Sequence, residues 1–143
     1  MNDKCFVDTN ILVYAHDSMA GPKHDLARVL VEDLWNSGTG AVSTQVLQEL
    51  CISVRRKAVR PLSEDETRRL IQDYLSWEVV VNTPESILRA LELEERYQLS
   101  FWDALIVCAA ESSGASVLYS EDFASGQRYG SVRALNPFVD HAE

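Results

Sequence analysis

Four acidic side chains in this 143-residue chain stand where their neighbours make a purely solvated role costly: Asp8, Glu49, Asp103 and Asp122. Asp8 closes the short apolar run Cys5-Phe6-Val7 and is followed by Thr9 and Asn10 before apolar residues resume at Ile11. So short a run near the N-terminus reads as a buried parallel strand. In open α/β sheets ligands bind just outside the carboxyl ends of the strands, so Asp8 is placed to hold a cation or a polar substrate. The alternative is a carboxylate that only caps the following turn. Asp122 repeats the arrangement. It follows Val117-Leu118-Tyr119-Ser120-Glu121, just past another strand-like run, with Glu121 as the competing candidate.

The other two acids belong to helical patterns. Glu49 is flanked by Leu47 and Leu50, and a glutamate among core positions is costly to bury unless it is paired or metal-bound. Its alternative is an exposed position between two apolar stripes. Asp103 opens Ala-Leu-Ile-Val-Cys-Ala-Ala, a segment apolar on all sides. Ser100-x-x-Asp103 is also close to a capping box, and an acid is favoured at a helix N-terminus. Like charges about 5 Å apart at an effective dielectric of 20 repel by roughly 3 kcal/mol. Four such acids on one rim would therefore call for a cation. Oxygen ligands without His or Cys suit Mg²⁺ or Mn²⁺, and a pair of such ions can activate water and stabilise the leaving oxygen of a phosphodiester.

Elements able to bring the four together are legible. Strand-like runs occur at 5–8, 41–43, 79–81, 117–119 and, more weakly, 132–135. Helical spacing links Leu26 to Leu34, Val46 to Val54, Leu70 to Leu75, Ile87 to Leu91 and the stretch 102–113. Ser63-Glu64-Asp65-Glu66 is a capping box, and Pro84 suits a first helical turn. Strands alternating with helices argue for an α/β sandwich with a mostly parallel sheet. The length fits one domain, 1–143.

Composition is that of an ordinary globular protein, 46% hydrophobic and 24% charged. No run approaches membrane-spanning length and the N-terminus shows no signal-peptide pattern. Cys5, Cys51 and Cys108 read as reduced core residues of a cytoplasmic protein. His16, His24 and His141 lack metal-ligand spacing and read as surface or turn residues. The net charge of −9 argues against a surface that coats nucleic acid generally. Positive charge is local: Arg55, Arg56, Lys57 and Arg60 lie within six residues, able to grip phosphates or simply to solvate a helix end.

In Phe-Val-Asp-Thr-Asn-Ile-Leu-Val-Tyr-Ala (6–15), Ser-Thr-Gln-Val-Leu-Gln-Glu-Leu (43–50), Leu-Ser-Phe-Trp-Asp-Ala-Leu-Ile-Val (99–107) and Leu-Tyr-Ser-Glu-Asp-Phe (118–123), the chain resembles the PIN-domain ribonucleases, specifically VapC-type toxins of bacterial toxin–antitoxin pairs. These stretches follow the family's order and span nearly the whole sequence. The resemblance implies a three-layer α/β/α fold and divalent-metal-dependent cleavage of RNA to 5′-phosphate and 3′-hydroxyl products. It also implies a cognate antitoxin that covers the site and a homodimer. It assigns Asp8, Glu49, Asp103 and Asp122 to a Mg²⁺ or Mn²⁺ site, with Asn10 orienting Asp8 and with Thr9 and Ser120 supplying hydroxyls.

Other enzymes with acids at strand ends fit poorly. A phospho-receiver needs an aspartate after its third strand and a lysine after its fifth, but here Val81-Asn82-Thr83 follows the third run and no lysine lies beyond Lys57. A haloacid-dehalogenase-type phosphatase needs a second aspartate where Asn10 stands. A PIN-like module that binds RNA or protein without cutting is the non-enzymatic alternative. It would be expected to lack one or more of the acids, and this chain keeps all four.

Overall fold

The structure, a computed structural model, describes residues 3–139. Six strands form one sheet: β1 (Cys5–Val7), β2 (Gly40–Ser43), β3 (Glu78–Val80), β4 (Val117–Tyr119), β5 (Arg128–Tyr129) and β6 (Val132–Leu135), in the order β3-β2-β1-β4-β6-β5. Every pairing is parallel except the β5–β6 hairpin. Six helices complete the chain: α1 (Thr9–His16), α2 (Pro22–Ser37), α3 (Thr44–Arg56), α4 (Glu64–Tyr74), α5 (Pro84–Tyr97) and α6 (Phe101–Ser112). From β1 the chain steps through α1 and α2 to β2, then through α3 and α4 to β3. It returns through α5 and α6 to β4 on the other side of β1. Because such crossovers are right-handed, the reversal of direction puts α1–α4 on one face and α5–α6 on the other. The expected α/β/α sandwich is the fold found.

That reversal makes the β1–β4 junction the topological switch point, where a crevice opens beyond the strand ends. Register places Cys5, Phe6 and Val7 beside Val117, Leu118 and Tyr119, so Asp8 leaves β1 level with Ser120 leaving β4. Phe6, Val7 and Leu118 are fully buried, and in α6 every residue from Ala104 to Ala110 is buried. An apolar central strand and an all-round apolar helix account for the rigidity behind the crevice.

Local detail departs from the sequence reading at several places. The segment after Asp8, to which no element was assigned, is a helix, α1. Its apolar residues Ile11, Leu12 and Ala15 are buried, but eight residues opened by the turn-formers Asp-Thr-Asn carry too little periodicity to stand out. The two-residue β5 left no sequence signal, and β3 runs one residue earlier than expected. His16 is not a surface residue either. Its Nε2 lies 2.6 Å from the Tyr74 hydroxyl, beside an aromatic cluster of Trp35, Tyr74 and Trp77. That cluster demands Gly40, where an added Cβ would stand 2.6 Å from the Trp77 ring. His141 lies outside the described residues.

Burial, reinforced by the charge of His24 and opposed by Asp73, pushes the His16 imidazole down to about 4. Between that value and the ordinary 6.5, the unfolded chain binds a proton that the folded chain excludes. Stability contributed by neutral His16 is therefore complete at neutral pH and lost as pH falls toward 4, by at most about 3 kcal/mol. Urea unfolding at pH 7 and pH 4.5 should show a smaller acid loss for His16→Gln than for the wild type. Equal losses would mean that the ring titrates normally.

Candidate functional site

All four acids line one cavity of about 710 Å³ beyond the β1–β4 junction. Each arrives by a different local rule. Asp8 is the N-cap of α1, and its Oδ1 accepts the Thr9 N–H at 2.7 Å. Its Oδ2 accepts the Ser120 hydroxyl at 2.8 Å. Capping a helix and lining the cavity thus coexist at this residue, which is only 4% exposed. Burial above all, then the charges of Asp122 and Glu49, push its carboxyl up to about 7 despite the Ser120 and Thr9 hydrogen bonds.

Glu49 projects from α3, a helix with two working faces. Val46, Leu50 and Val54 are fully or almost fully buried, while Gln45, Glu49 and Ile52 face the cavity. The Thr9 hydroxyl donates to Glu49 Oε1 at 2.6 Å and the Gln45 amide donates to Oε2 at 3.2 Å. The same Gln45 nitrogen donates to the Trp102 carbonyl at 3.3 Å, tying α3 to the start of α6. Gln45 Oε1 is buried without a partner among the described residues. Sequence reading missed Gln45, although its i, i+4 spacing from Glu49 is the signal that could have found it.

Asp103 stands in the first turn of α6. Ser100 is the cap there, accepting the Asp103 N–H at 3.1 Å, but the reciprocal half of a capping box does not form. Among the described residues nothing donates a hydrogen bond to the Asp103 carboxylate. Its pKa is raised by burial first, then by Asp122, and less by Glu49, against a lowering contact with Ser100.

The fourth acid in the cavity is Asp122 rather than Glu121. Glu121 is turned away, accepting the Tyr14 hydroxyl at 2.7 Å and pairing with Lys23 at 2.8 Å. Asn10 is the reason Asp122 faces inward, and here the expected contact needs correction. The Asn10 amide donates to Asp122 Oδ2 at 2.9 Å, and its carbonyl accepts the Glu121 N–H at 3.3 Å. Asn10 therefore meets the acid beyond β4 directly and Asp8 only through Ser120, whose Oγ accepts the Asn10 amide at 3.4 Å and which holds Asp8 together with the Thr9 N–H. A carboxamide three residues past the end of β1 reaches across to the segment leaving β4, which chain spacing alone could not reveal.

The donor set is all oxygen and suits a hard divalent cation. None of the four carboxylates has an ion-pair partner among the described residues, and the pKa rise at Asp8 and Asp103 comes from burial first and from the neighbouring acids second. The acids ring the cavity without closing on a common point: among the described residues no three acids, histidines or cysteines have the spacing of an assembled metal centre.

The PIN domain family model matches residues 5–125, a stretch that contains all four acids. The chain belongs to the PIN domain family. Solved structures of PIN fold most like it include a toxin–antitoxin complex from Klebsiella pneumoniae, 20% identical, covering 94% of this chain and 98% of that one with a TM-score of 0.68. VapC20 of Mycobacterium tuberculosis, a toxin that cleaves the sarcin–ricin loop, is also 20% identical, over 91% of this chain and 99% of its own, with a TM-score of 0.64. VapBC2 of Rickettsia felis, bound to a DNA fragment from its promoter, is 21% identical over 91% and 96%, with a TM-score of 0.63. No curated protein matches the chain by sequence.

Proposed function

We propose that this PIN domain, a single domain over 1–143, is a divalent-metal-dependent endoribonuclease and the toxin of a toxin–antitoxin pair. The observation that carries this is the convergence of four carboxylates, unpaired by any cation among the described residues, at the switch point of the sheet. Asp8 and Asp103 would hold the principal Mg²⁺ or Mn²⁺, with Glu49 and Asp122 completing the set. A bound ion supplies charge against the scissile phosphate and lowers the pKa of a water molecule.

The chain's own residues do the positioning. Ser120 and the Thr9 N–H fix both oxygens of Asp8, the Thr9 hydroxyl and Gln45 fix Glu49, and Asn10 fixes Asp122. Asp103, beside which Ser100 is the only neighbouring side-chain donor among the described residues, keeps acceptor capacity for a ligand. The mouth carries exposed apolar side chains, Ile52, Val59 and Trp102, which suit the hydrophobic segment of an antitoxin with an Arg or Lys reaching the acids. The toxin–antitoxin complexes among the similar structures support that partner. Exposed Ile87, Leu88 and Leu91 on α5 support a homodimer. No helix of the described residues is long and apolar enough to cross a membrane, and we place the protein in the cytoplasm, where its free cysteines stay reduced.

Purified protein should cut single-stranded RNA with Mg²⁺ or Mn²⁺ and stop on addition of EDTA. Cutting that survives both chelation and Asp8→Asn would overturn the assignment. Growth arrest on expression, relieved by coexpressing an adjacent small reading frame, tests the toxin half. A protein active in vitro yet harmless in cells would count against it.

A further inference from the structure

A cavity lined by carboxylates must still admit a polyanion. Besides the four site acids a fifth, Asp17, lines it, and Lys57 is the one cation among the described lining residues. Lys57 is exposed and has no ion-pair partner among the described residues, whereas Lys23 is committed to Glu121 and Arg55 Nε donates back to the Cys51 carbonyl at 2.7 Å. Of the basic residues at 55–60, then, the one that reaches the cavity is also free to bind.

The end of α3 sets Lys57, whose N–H meets the Ser53 carbonyl at 2.8 Å, and Asp17 fastens the turn that follows it. Although it faces the cavity, Asp17 is only 4% exposed and its oxygens are already engaged. Oδ2 accepts the Val59 N–H at 2.7 Å, and Oδ1 accepts the N–H groups of Arg60 at 3.1 Å and Met19 at 3.2 Å. A carboxylate whose oxygens serve three backbone donors makes a poor metal ligand and a strong clamp. It fastens the turn after α3 to the end of α1, the helix that Asp8 begins.

We propose that Lys57 is the phosphate-gripping residue of this cavity and that Asp17 is the positioning residue that holds its turn against the site. This rests on the ribonuclease reading and adds the means by which a negatively charged strand is kept over a negatively charged pocket. The phosphate gripped is a neighbour of the scissile one, since Lys57 sits at the end of α3, two turns beyond Glu49.

The test is steady-state cleavage of single-stranded RNA with Mg²⁺, joined to anisotropy titrations of a fluorescently labelled RNA across salt concentrations. The titrations use the Asp103→Asn background so that the RNA stays whole. Lys57→Ala should raise KM about five- to tenfold with kcat within about twofold, and should lower the salt slope of binding by about one. Lys57→Arg should restore both. Asp17→Asn should show the same KM rise and reduced slope, and combined with Lys57→Ala it should add nothing further to KM. If Asp17→Asn does not fold, Asp17→Glu, which keeps the charge but displaces the acceptor oxygens, takes its place in the same cycle. An unmoved KM and salt slope in Lys57→Ala would overturn the subsite. Fully additive effects of the two substitutions would reduce Asp17 to general stability and overturn its positioning role. Absence of metal-dependent cutting by the wild type would instead overturn the ribonuclease reading, so the two failures are distinguishable.

Discussion

Asp8→Asn should abolish metal-dependent RNA cleavage, by a factor on the order of 10³ or more, equivalent to at least about 4 kcal/mol of transition-state stabilisation. The same substitution should make the metal-free protein more stable at neutral pH. Both effects come from one geometry. Asp8 is a buried carboxylate pushed up to about 7 by burial first, then by Asp122 and Glu49. In the unfolded chain it ionises near 4. Between those values the folded state holds a proton that the unfolded state has released, so metal-free stability falls as pH rises through this window, by at most about 4 kcal/mol. Asparagine cannot ionise, yet it still caps α1 through the Thr9 N–H, and its amide can meet the Ser120 hydroxyl as a donor. Urea unfolding in EDTA at pH 5 and pH 8 should show a decline for the wild type that is reduced in the variant. An equal decline in both, or retained cleavage by the variant, would count against a charged and uncompensated Asp8.

Five of the six strands and five of the helices were legible because most of them satisfy a strong local rule. β1 and β4 are apolar runs that end in polar residues, α4 opens on the Ser63–Glu66 capping box found in the structure, and α6 is apolar on every face. α1 was illegible for the converse reason. Its Asp-Thr-Asn start is turn chemistry, and here that chemistry caps a helix and lines the cavity at once. The four candidate acids could be named from their positions at strand ends and in helices, and the resemblance named Thr9, Asn10 and Ser120 beside them, but not which acid each would meet. Ser120 meets Asp8, Asn10 meets Asp122 and Thr9 meets Glu49 only after the sheet has brought distant segments into register. Asp17 shows the limit most plainly: its principal partners are the backbone N–H groups of Val59 and Arg60, which carry no side-chain signature.

Asp103→Asn separates a helix cap from a member of a cation site. Were the carboxylate mainly a cap, its loss would cost about 0.5–2 kcal/mol. The structure gives that task to Ser100, whose hydroxyl accepts the Asp103 N–H, and leaves the Asp103 carboxylate without a donor among the described residues. What the carboxylate retains is a favourable place near the positive end of α6, worth about 0.3–1 kcal/mol. Against this stand burial and the charges of Asp122 and Glu49, which raise its pKa. The metal-free variant should therefore melt at or above the wild-type temperature. With Mg²⁺ the order reverses. At a hundredfold excess over Kd, binding to the folded state alone stabilises by about 2.7 kcal/mol, a rise in Tm on the order of 10 °C for a chain of this size. The wild type should gain this and the variant little of it, while its cleavage collapses. Paired thermal melts in EDTA and in Mg²⁺ give both numbers. A variant that melts lower in EDTA and gains as much from Mg²⁺ as the wild type would return Asp103 to the role of a cap, because a side chain that helps hold the ion cannot be neutralised without weakening the ion's grip on the fold.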